Sequence, residues 1–195
     1  MSDLLTIISN ESIYNNKNIY YCDNIDSKSI PEGLSENYEI LNIGRKSKIQ
    51  RSIKINIKNT YVSSNIFSFI YNVFKTFSTK SKYLLISISP YTFFASLLLI
   101  VFRKKFIVYV RSSGYEEYKK IIGIIGPLIY HIMFSIVSFK AKMIACGVRL
   151  LEGKPGIVVI PSRLNDKWFN NHVKPDLTKV NLLYIGRIKV EKGIF

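Results

Sequence analysis

The residue types best suited to chemistry lie close to the end of the printed sequence. Residues 182–185 form a short apolar run that predicts a buried strand, and Gly186 ends it. Arg187 and Lys192 follow in a short loop, before the first turn of a predicted helix. A helix start offers backbone N–H groups and a positive dipole end to an anion, Arg adds a planar fork, and Lys adds a mobile charge. The spacing therefore lets Arg187 and Lys192 bind one diphosphate; the alternative is a surface turn with solvated charges.

The elements that must position this loop alternate along the chain. Apolar residues at i, i+3 and i+4 over 65–77 predict an amphipathic helix. A second helix is predicted over 91–105, with Pro90 near its start. Residues 45–58, in which Ile partly alternates with Lys and Arg, are predicted as an edge strand or a basic loop. Buried strands are predicted over 4–9, 17–23, 38–44, 82–89, 106–111, 142–146, 156–161 and 181–186.

This order of elements predicts the fold class. Strands that alternate with helices imply parallel βαβ units and a doubly wound, Rossmann-like α/β sheet, in which ligands lie at the carboxyl ends of the strands. The polar segment 174–180 contains Pro175 and predicts a linker. We therefore expect an N-terminal domain over 1–173, a linker over 174–180 and the start of an incomplete second domain over 181–195.

The net charge and the cysteine content limit the classes of partner, metal site and cellular setting that the sequence predicts. The chain has 28 Lys and Arg against 13 Asp and Glu, a net charge of +15. This excess favours nucleic acid, anionic lipid headgroups or a phosphorylated small molecule, although a codon bias toward Lys would produce it as well. The sequence contains no known nucleic-acid-binding motif, so no specific nucleic-acid partner is predicted. Cys22 and Cys146 are the only cysteines, and their isolation predicts no metal site and a reduced, cytoplasmic setting.

One apolar stretch raises the question of a membrane. Residues 121–139 carry no formal charge and lie between Lys120 and Lys140. The stretch is long enough for a transmembrane helix, but Gly126 and Pro127 are expected to break it. The alternatives are a buried helix of a soluble fold, or a helix that lies on an anionic membrane surface and places the protein on the inner face of the cell membrane.

The terminal loop also resembles a known motif. Residues 182–194, LLYIGRIKVEKGI, are similar to the start of the second domain of retaining GT-B glycosyltransferases of family 4 (group 1), where a strand is followed by Gly-Arg and then by Glu-Lys-Gly. The resemblance implies that the chain is the first half of a GT-B fold. It also implies that Arg187 and Lys192 bind the diphosphate of a nucleotide-sugar donor and that Gly186 lets the backbone approach it.

The resemblance extends to the acceptor side. Residues 106–119, FIVYVRSSGYEEYK, align with a strand that ends in His-Gly near the acceptor in many members of the family. Here Ser113 and Gly114 form the acceptor-side turn and the His is missing. Arg111 and Ser112 are the catalytic candidates, with Arg111 expected to stabilise an anionic acceptor or leaving group. The alternative is that Arg111 pairs with one of the two glutamates, Glu116 and Glu117. A Gly-rich loop that often follows the first strand is also missing.

The implied activity is transfer of a sugar, with retention, from a nucleotide-sugar donor to a glycan or lipid-linked acceptor in the synthesis of a cell-surface polysaccharide. In this family the leaving phosphate assists the acceptor, so neither a strong protein base nor a metal cofactor is required. We expect the 195-residue chain alone to be nearly inactive, because donor binding would rest on one loop. Two alternatives stay open: a non-enzymatic basic module that binds anionic membrane or nucleic acid, and a small integral membrane protein.

Overall fold

A computed structural model describes residues 3–160, which contain nine strands and five α-helices. The predicted linker over 174–180 and the predicted second domain over 181–195 lie outside the described residues. The strands are β1 (Leu4–Asn16), β2 (Ile19–Cys22), β3 (Glu39–Lys46), β4 (Ile53–Ile55), β5 (Thr60–Ser63), β6 (Ser81–Ile86), β7 (Phe106–Val110), β8 (Lys142–Ala145) and β9 (Gly156–Val158). The helices are α1 (Ile25–Leu34), α2 (Ile66–Lys75), α3 (Pro90–Val101), α4 (Gly114–Ile122) and α5 (Gly126–Lys140).

The sheet is mostly parallel. Its parallel strands run in the order β5-β3-β1-β6-β7-β8-β9. From the central β1 the chain adds β3 and β5 on one side, and α2 then carries it across to β6 on the other side. Parallel strands joined through helices are the arrangement expected of a Rossmann-like α/β fold, so the predicted fold class is confirmed at that level.

The first strand is longer than predicted. β1 does not end at Ser9: its register shifts between Ile8 and Ser12, and it continues to Asn16. Its last residues pair in antiparallel fashion with β2 through a tight turn at Lys17 and Asn18, whose φ angles are 48° and 65°. Positive φ at both central residues matches the right-handed twist of a hairpin. Residues 10–16, which lay between two predicted strands, are therefore part of β1. Within 45–58, predicted as an edge strand or a basic loop, β4 is a short strand that pairs with β2 at the edge of the sheet.

Side chains from the two faces of the sheet form two separate cores. Ile8, Leu85 and Val108 pack with α2, α3 and α5, whose Phe69 and Phe134 are among the largest fully buried side chains. The neighbouring residues along the same strands point to the other face, where α1, β2 and β4 cover them. Helices thus lie on both faces, as the predicted doubly wound arrangement requires. The burial alternates along β7, so its outer face, predicted as buried, is only half-buried.

Two helices follow the local signals in the sequence, and one departs from them. Asn65 caps α2 and Ser89 caps α3, with Pro90 in the first turn of α3. The break expected at Gly126 and Pro127 is wrong in position. The chain turns earlier, at Gly123, whose φ of 80° is open to glycine, and Pro127 lies in the first turn of α5, where its missing N–H costs no helical hydrogen bond.

Candidate functional site

The carboxyl edge of the sheet next to β1 is the candidate site. Strands are added in one direction from β1 to β3 and β5, and in the other direction from β6 to β9, so the chain reverses between β1 and β6. Open α/β sheets bind their ligands at such a reversal, outside the carboxyl ends of the two strands, so this position is where a ligand crevice is expected.

Arg45 on β3 and Asn10 on β1 lie at this edge. The Nε of Arg45 donates a hydrogen bond to the Asn10 carbonyl at 2.9 Å, and its Nη2 donates to the Ser12 hydroxyl at 3.2 Å. The guanidinium also lies over the ring of Tyr91, 5.2 Å from the centroid. The side-chain oxygen of Asn10 is buried and has no hydrogen-bond partner among residues 3–160. A buried acceptor in this position suits a ligand hydroxyl or a water molecule.

The start of α3 lies on the other side of the crevice. Ser87 directly follows β6 with a φ of 64°, in the left-handed region, and its N–H donates to the carbonyl of Tyr109 at 2.8 Å. Ser89 and Thr92 form a capping box that satisfies two donors of the first turn. The positive end of the α3 dipole is therefore directed at the carboxyl edge.

Arg111 lies at the end of β7 and binds a different carboxylate from the one predicted. Its Nη2 lies 2.6 Å from Oδ2 of Asp26 in the first turn of α1, and both side chains are about three-quarters buried. The alternative in which Arg111 pairs with Glu116 or Glu117 is wrong, because α4 carries those two residues away, where they are exposed. Arg111 thus joins β7 to the helix on the opposite face of the sheet.

The residues after Arg111 have separate roles. Ser112 is exposed beside the ion pair, and Ser113 occupies the N-cap position of α4 without a side-chain capping bond. Gly114 begins α4, and a Cβ there would overlap the ring of Tyr130. The predicted acceptor-side turn is therefore the start of a helix, and its glycine is required by the packing of α4 on α5.

Two further polar contacts lie near the same edge. The hydroxyl of Ser27 donates to Oε2 of Glu11 at 3.3 Å, and the phenol oxygen of Tyr109 lies 3.0 Å from Sγ of Cys146. Burial raises the pKa of Tyr109 to about 12. Burial, together with the charge of Glu11, raises the pKa of Cys22 to about 11. These groups stay protonated at neutral pH, so Tyr109 and Cys22 act there as neutral hydrogen-bonding groups.

A shallow cavity of about 250 Å³ lies at the opposite, amino edge of the sheet, lined by Leu4, Glu39 and Tyr61 among others. It lies at the edge opposite to that of Arg45 and Arg111. Among the residues that the structure describes, no cluster of three or more His, Cys, Asp or Glu side chains is arranged to hold a metal ion.

Only some of the residues at this carboxyl edge were predicted from the sequence. Gly186, Arg187 and Lys192, the predicted diphosphate site, lie outside the described residues. The pairing of Asp26 with Arg111 depends on a helix, α1, that was not predicted. Arg45 was not predicted as a site residue. It directly follows Gly44, which closes a predicted strand, and a basic residue at the carboxyl end of a strand is the sequence feature that could have identified it.

Comparison with protein-family models, with curated proteins and with solved structures gives no match to this chain. The geometry of the site and the terminal motif therefore carry the functional argument by themselves.

Proposed function

We propose that the chain is the acceptor-side domain of a retaining GT-B glycosyltransferase, followed by the start of its donor-binding domain. The reaction is transfer of a sugar from a nucleotide-sugar donor to a glycan or lipid-linked acceptor, in the synthesis of a cell-surface polysaccharide. The observation that carries the proposal is the motif Gly186-Arg187 with Lys192, placed after a Rossmann-like domain.

The described residues supply an acceptor side in this scheme. Polar side chains lie at the carboxyl edge between β1 and β6, and in this scheme the buried Asn10 oxygen accepts a hydrogen bond from an acceptor hydroxyl, directly or through a water molecule. Arg45 is held by two hydrogen bonds and by Tyr91, so it presents a fixed positive charge. A fixed charge stabilises negative charge better than a mobile one, because it needs no reorganisation during the reaction.

Arg111 and Ser112 complete this edge. Asp26 orients Arg111 and neutralises part of its charge, so in this scheme Arg111 positions an anionic acceptor or leaving group weakly and Ser112 offers an exposed hydroxyl beside it. The family resemblance implies that the leaving phosphate takes the proton of the acceptor, which leaves binding and orientation to these side chains. The nucleotide sugar is then the donor substrate, with no metal cofactor, and the protein works in the cytoplasm.

Nucleotide binding tests the donor half of the proposal. Saturation-transfer NMR on the chain should detect UDP or GDP more strongly than UMP or GMP, because two cations bind a diphosphate better than a monophosphate. The variant Arg187→Ala/Lys192→Ala should lose this preference, whereas the matched control Lys54→Ala/Lys58→Ala, which also removes two positive charges, should keep it. Equal signals for diphosphates and monophosphates, or an unchanged preference in the Arg187/Lys192 variant, would overturn the proposal.

A second candidate is a basic binding module without catalysis. The net charge of +15 and an exposed apolar surface on α4 and α5 favour an anionic membrane over nucleic acid as its partner. Binding to arbitrary duplex DNA that weakens steeply with salt, without any nucleotide preference, would favour nucleic acid instead.

A further inference from the structure

Helices α4 and α5 form a hairpin that turns at Gly123. The Tyr115 hydroxyl oxygen lies 2.9 Å from Nδ1 of His131, although the two residues are 16 positions apart. In one continuous helix they would be separated by about 24 Å along the axis. A Cβ at Gly126 would overlap the carbonyl of Tyr118, so the two helices touch again nearer the turn. The helices are therefore antiparallel and in contact along the length of α4.

The turn of this hairpin projects from the edge of the sheet that holds the candidate site. Gly114 follows closely on the carboxyl end of β7 and packs on Tyr130 of α5. From there α4 runs for 9 residues, which corresponds to about 13 Å, before α5 returns. The hairpin tip, defined here as residues 121–128, is thus on the same side of the sheet as Arg45 and Arg111.

The hairpin tip is apolar and exposed. Ile124 is 93% exposed and Ile121 is 70% exposed. The other large exposed side chains of the tip are Ile122, Ile125 and Leu128. Aliphatic surface of this kind is unfavourable in water, and a contiguous patch marks a surface that binds another apolar phase.

Charge indicates which apolar phase that is. Lys119 and Lys120 lie on α4 directly behind the tip and are exposed. Glu116 and Glu117 lie one turn farther from the tip. Lysines beside an apolar surface bind anionic headgroups while the aliphatic side chains enter the acyl boundary. A second copy of the chain is a poorer partner, because tips that met head to head would bring four lysines together.

The geometry favours docking over spanning. The stretch Gly114–Lys140 meets the length and composition of a membrane-crossing helix. However, the turn at Gly123 divides it into helices of 9 and 15 residues, and neither reaches the 30 Å or so of a hydrocarbon core. The inward face of α5, with Met133, Phe134 and Val137, is also buried in the protein core.

We propose that the hairpin tip inserts into the headgroup region of an anionic lipid leaflet and holds the carboxyl edge of the sheet close to the membrane. Docking rests on the tip and its lysines alone. The consequence that the acceptor is lipid-linked, and reaches the crevice from the membrane, rests on the proposed function. Failure of docking would leave nucleotide binding by Arg187 and Lys192 intact, so the two proposals fail separately.

Vesicle sedimentation tests the docking. The chain should bind vesicles of equal parts phosphatidylcholine and phosphatidylglycerol, and bind phosphatidylcholine vesicles at least tenfold more weakly. The variant Ile124→Ser/Ile125→Ser should lower binding to the anionic vesicles at least tenfold, because both side chains lose their transfer to the acyl boundary. The matched control Phe67→Ser/Val101→Ser removes exposed apolar side chains from α2 and its neighbour α3 and should bind like the parent chain.

A second variant tests the contribution of Lys119 and Lys120 to vesicle binding. Lys119→Gln/Lys120→Gln should lower binding by roughly tenfold or more at low salt, whereas Lys54→Gln/Lys58→Gln should change it little. Tip variants that bind vesicles like the parent chain would overturn the proposal. A tip variant that instead dissolves a dimer seen by sedimentation velocity would also overturn it, in favour of a second copy of the chain.

A fluorescent reporter tests the depth of insertion. Trp168 is the only tryptophan, so Trp168→Phe with Ile124→Trp places one reporter at the tip. Anionic vesicles should shift its emission to the blue and protect it from acrylamide, and lipids brominated near the headgroup should quench it more than lipids brominated near the chain ends. Equal acrylamide quenching with and without vesicles, or stronger quenching from the chain ends, would contradict interfacial docking.

Discussion

Arg111 and Asp26 form an ion pair that ties the end of β7 to the first turn of α1, with 2.6 Å between Nη2 and Oδ2. The two residues are distant in sequence: Arg111 follows β7, and Asp26 lies on α1, which covers the face of the sheet opposite to α3 and α5. The carboxylate also lies near the N-terminus of α1, where negative charge is favourable. The pair therefore fixes both the position of the Arg111 guanidinium and the start of α1.

A double-mutant cycle measures this pair. Arg111→Met, Asp26→Asn and the double variant should give a coupling energy of about 1–2 kcal/mol in urea unfolding, between the values typical of exposed and of buried ion pairs. Lys82 and Asp3 form a more exposed ion pair of similar length and serve as the control. The same cycle there should give no measurable coupling. A coupling at Arg111 and Asp26 no larger than that of the control would mean that the pair does not hold α1.

The correctly predicted elements are those whose own residue pattern indicates both the type of secondary structure and the face that is buried. Residues 106–110 are all β-branched or aromatic, and they form β7; the apolar spacing over 65–77 forms α2. Such segments carry enough buried apolar surface to decide their structure locally. The bend between α4 and α5 was expected at Gly126 and Pro127, but proline is tolerated in a first turn and the glycine with free φ space, Gly123, takes the bend instead.

The elements that were not predicted depend on partners far along the chain. α1 contains Pro31 and has only a weak apolar face, so its pattern does not indicate a helix; its cap by Asn24 and its packing on the sheet stabilise it. β5 is four residues long and is a strand because it pairs with β3. The same holds for the candidate site. Arg111 was predicted from the sequence, but its partner Asp26 was not, because α1 is the element that places Asp26 beside Arg111.

Gly114 should not tolerate a side chain. A Cβ there would overlap the Tyr130 ring, which is buried and cannot move aside, so Gly114→Ala should lower the free energy of unfolding by about 1–3 kcal/mol. Gly33, in the last turn of α1, has open space around it, and Gly33→Ala should be neutral or stabilising by about 0.5 kcal/mol. Chemical denaturation of both variants provides the measurement, and equal effects of the two substitutions would contradict the packing of α4 on α5.

Two phenylalanines of α5 should differ in their effect on stability. Phe134 is 2% exposed and Phe139 is 77% exposed. Phe134→Ala leaves a cavity between α5 and the sheet and should cost about 3–5 kcal/mol, enough to lower the melting temperature steeply. Phe139→Ala should stay within about 0.5 kcal/mol of the parent chain. Calorimetry on both variants decides this, and a large loss at Phe139 would show that its surface is covered in the folded protein.

The two cysteines should react at different rates. Cys22 is fully buried and its pKa is raised to about 11, so little thiolate is exposed to reagent at neutral pH. Cys146 is half-buried. Iodoacetamide followed by mass spectrometry should label Cys146 in the folded protein and Cys22 only after denaturant is added. Cys146→Ser should abolish the fast reaction. Labelling of both thiols at one rate would mean that the core under β2 and α1 opens readily.

Stability should fall in alkali, and Tyr118 should account for part of the loss. Burial raises the pKa of Tyr118 from 10.0 to about 12, so below pH 10 the phenol is neutral in the folded and the unfolded chain, and its contribution to stability is complete. As the pH rises through the window from 10 to 12, the unfolded chain loses the proton first and stability is lost. At pH 11 this amounts to roughly 1 kcal/mol for one such group.

Urea unfolding at pH 8 and pH 11 should therefore show a smaller loss for Tyr118→Phe than for the parent chain. The variant Tyr71→Phe, which alters an exposed phenol on α2, should behave like the parent. An equal loss in all three proteins would mean that Tyr118 is already hydrated in the folded state, and the contact between α4 and α5 would then be looser than the packing of Tyr118 against Tyr130 requires.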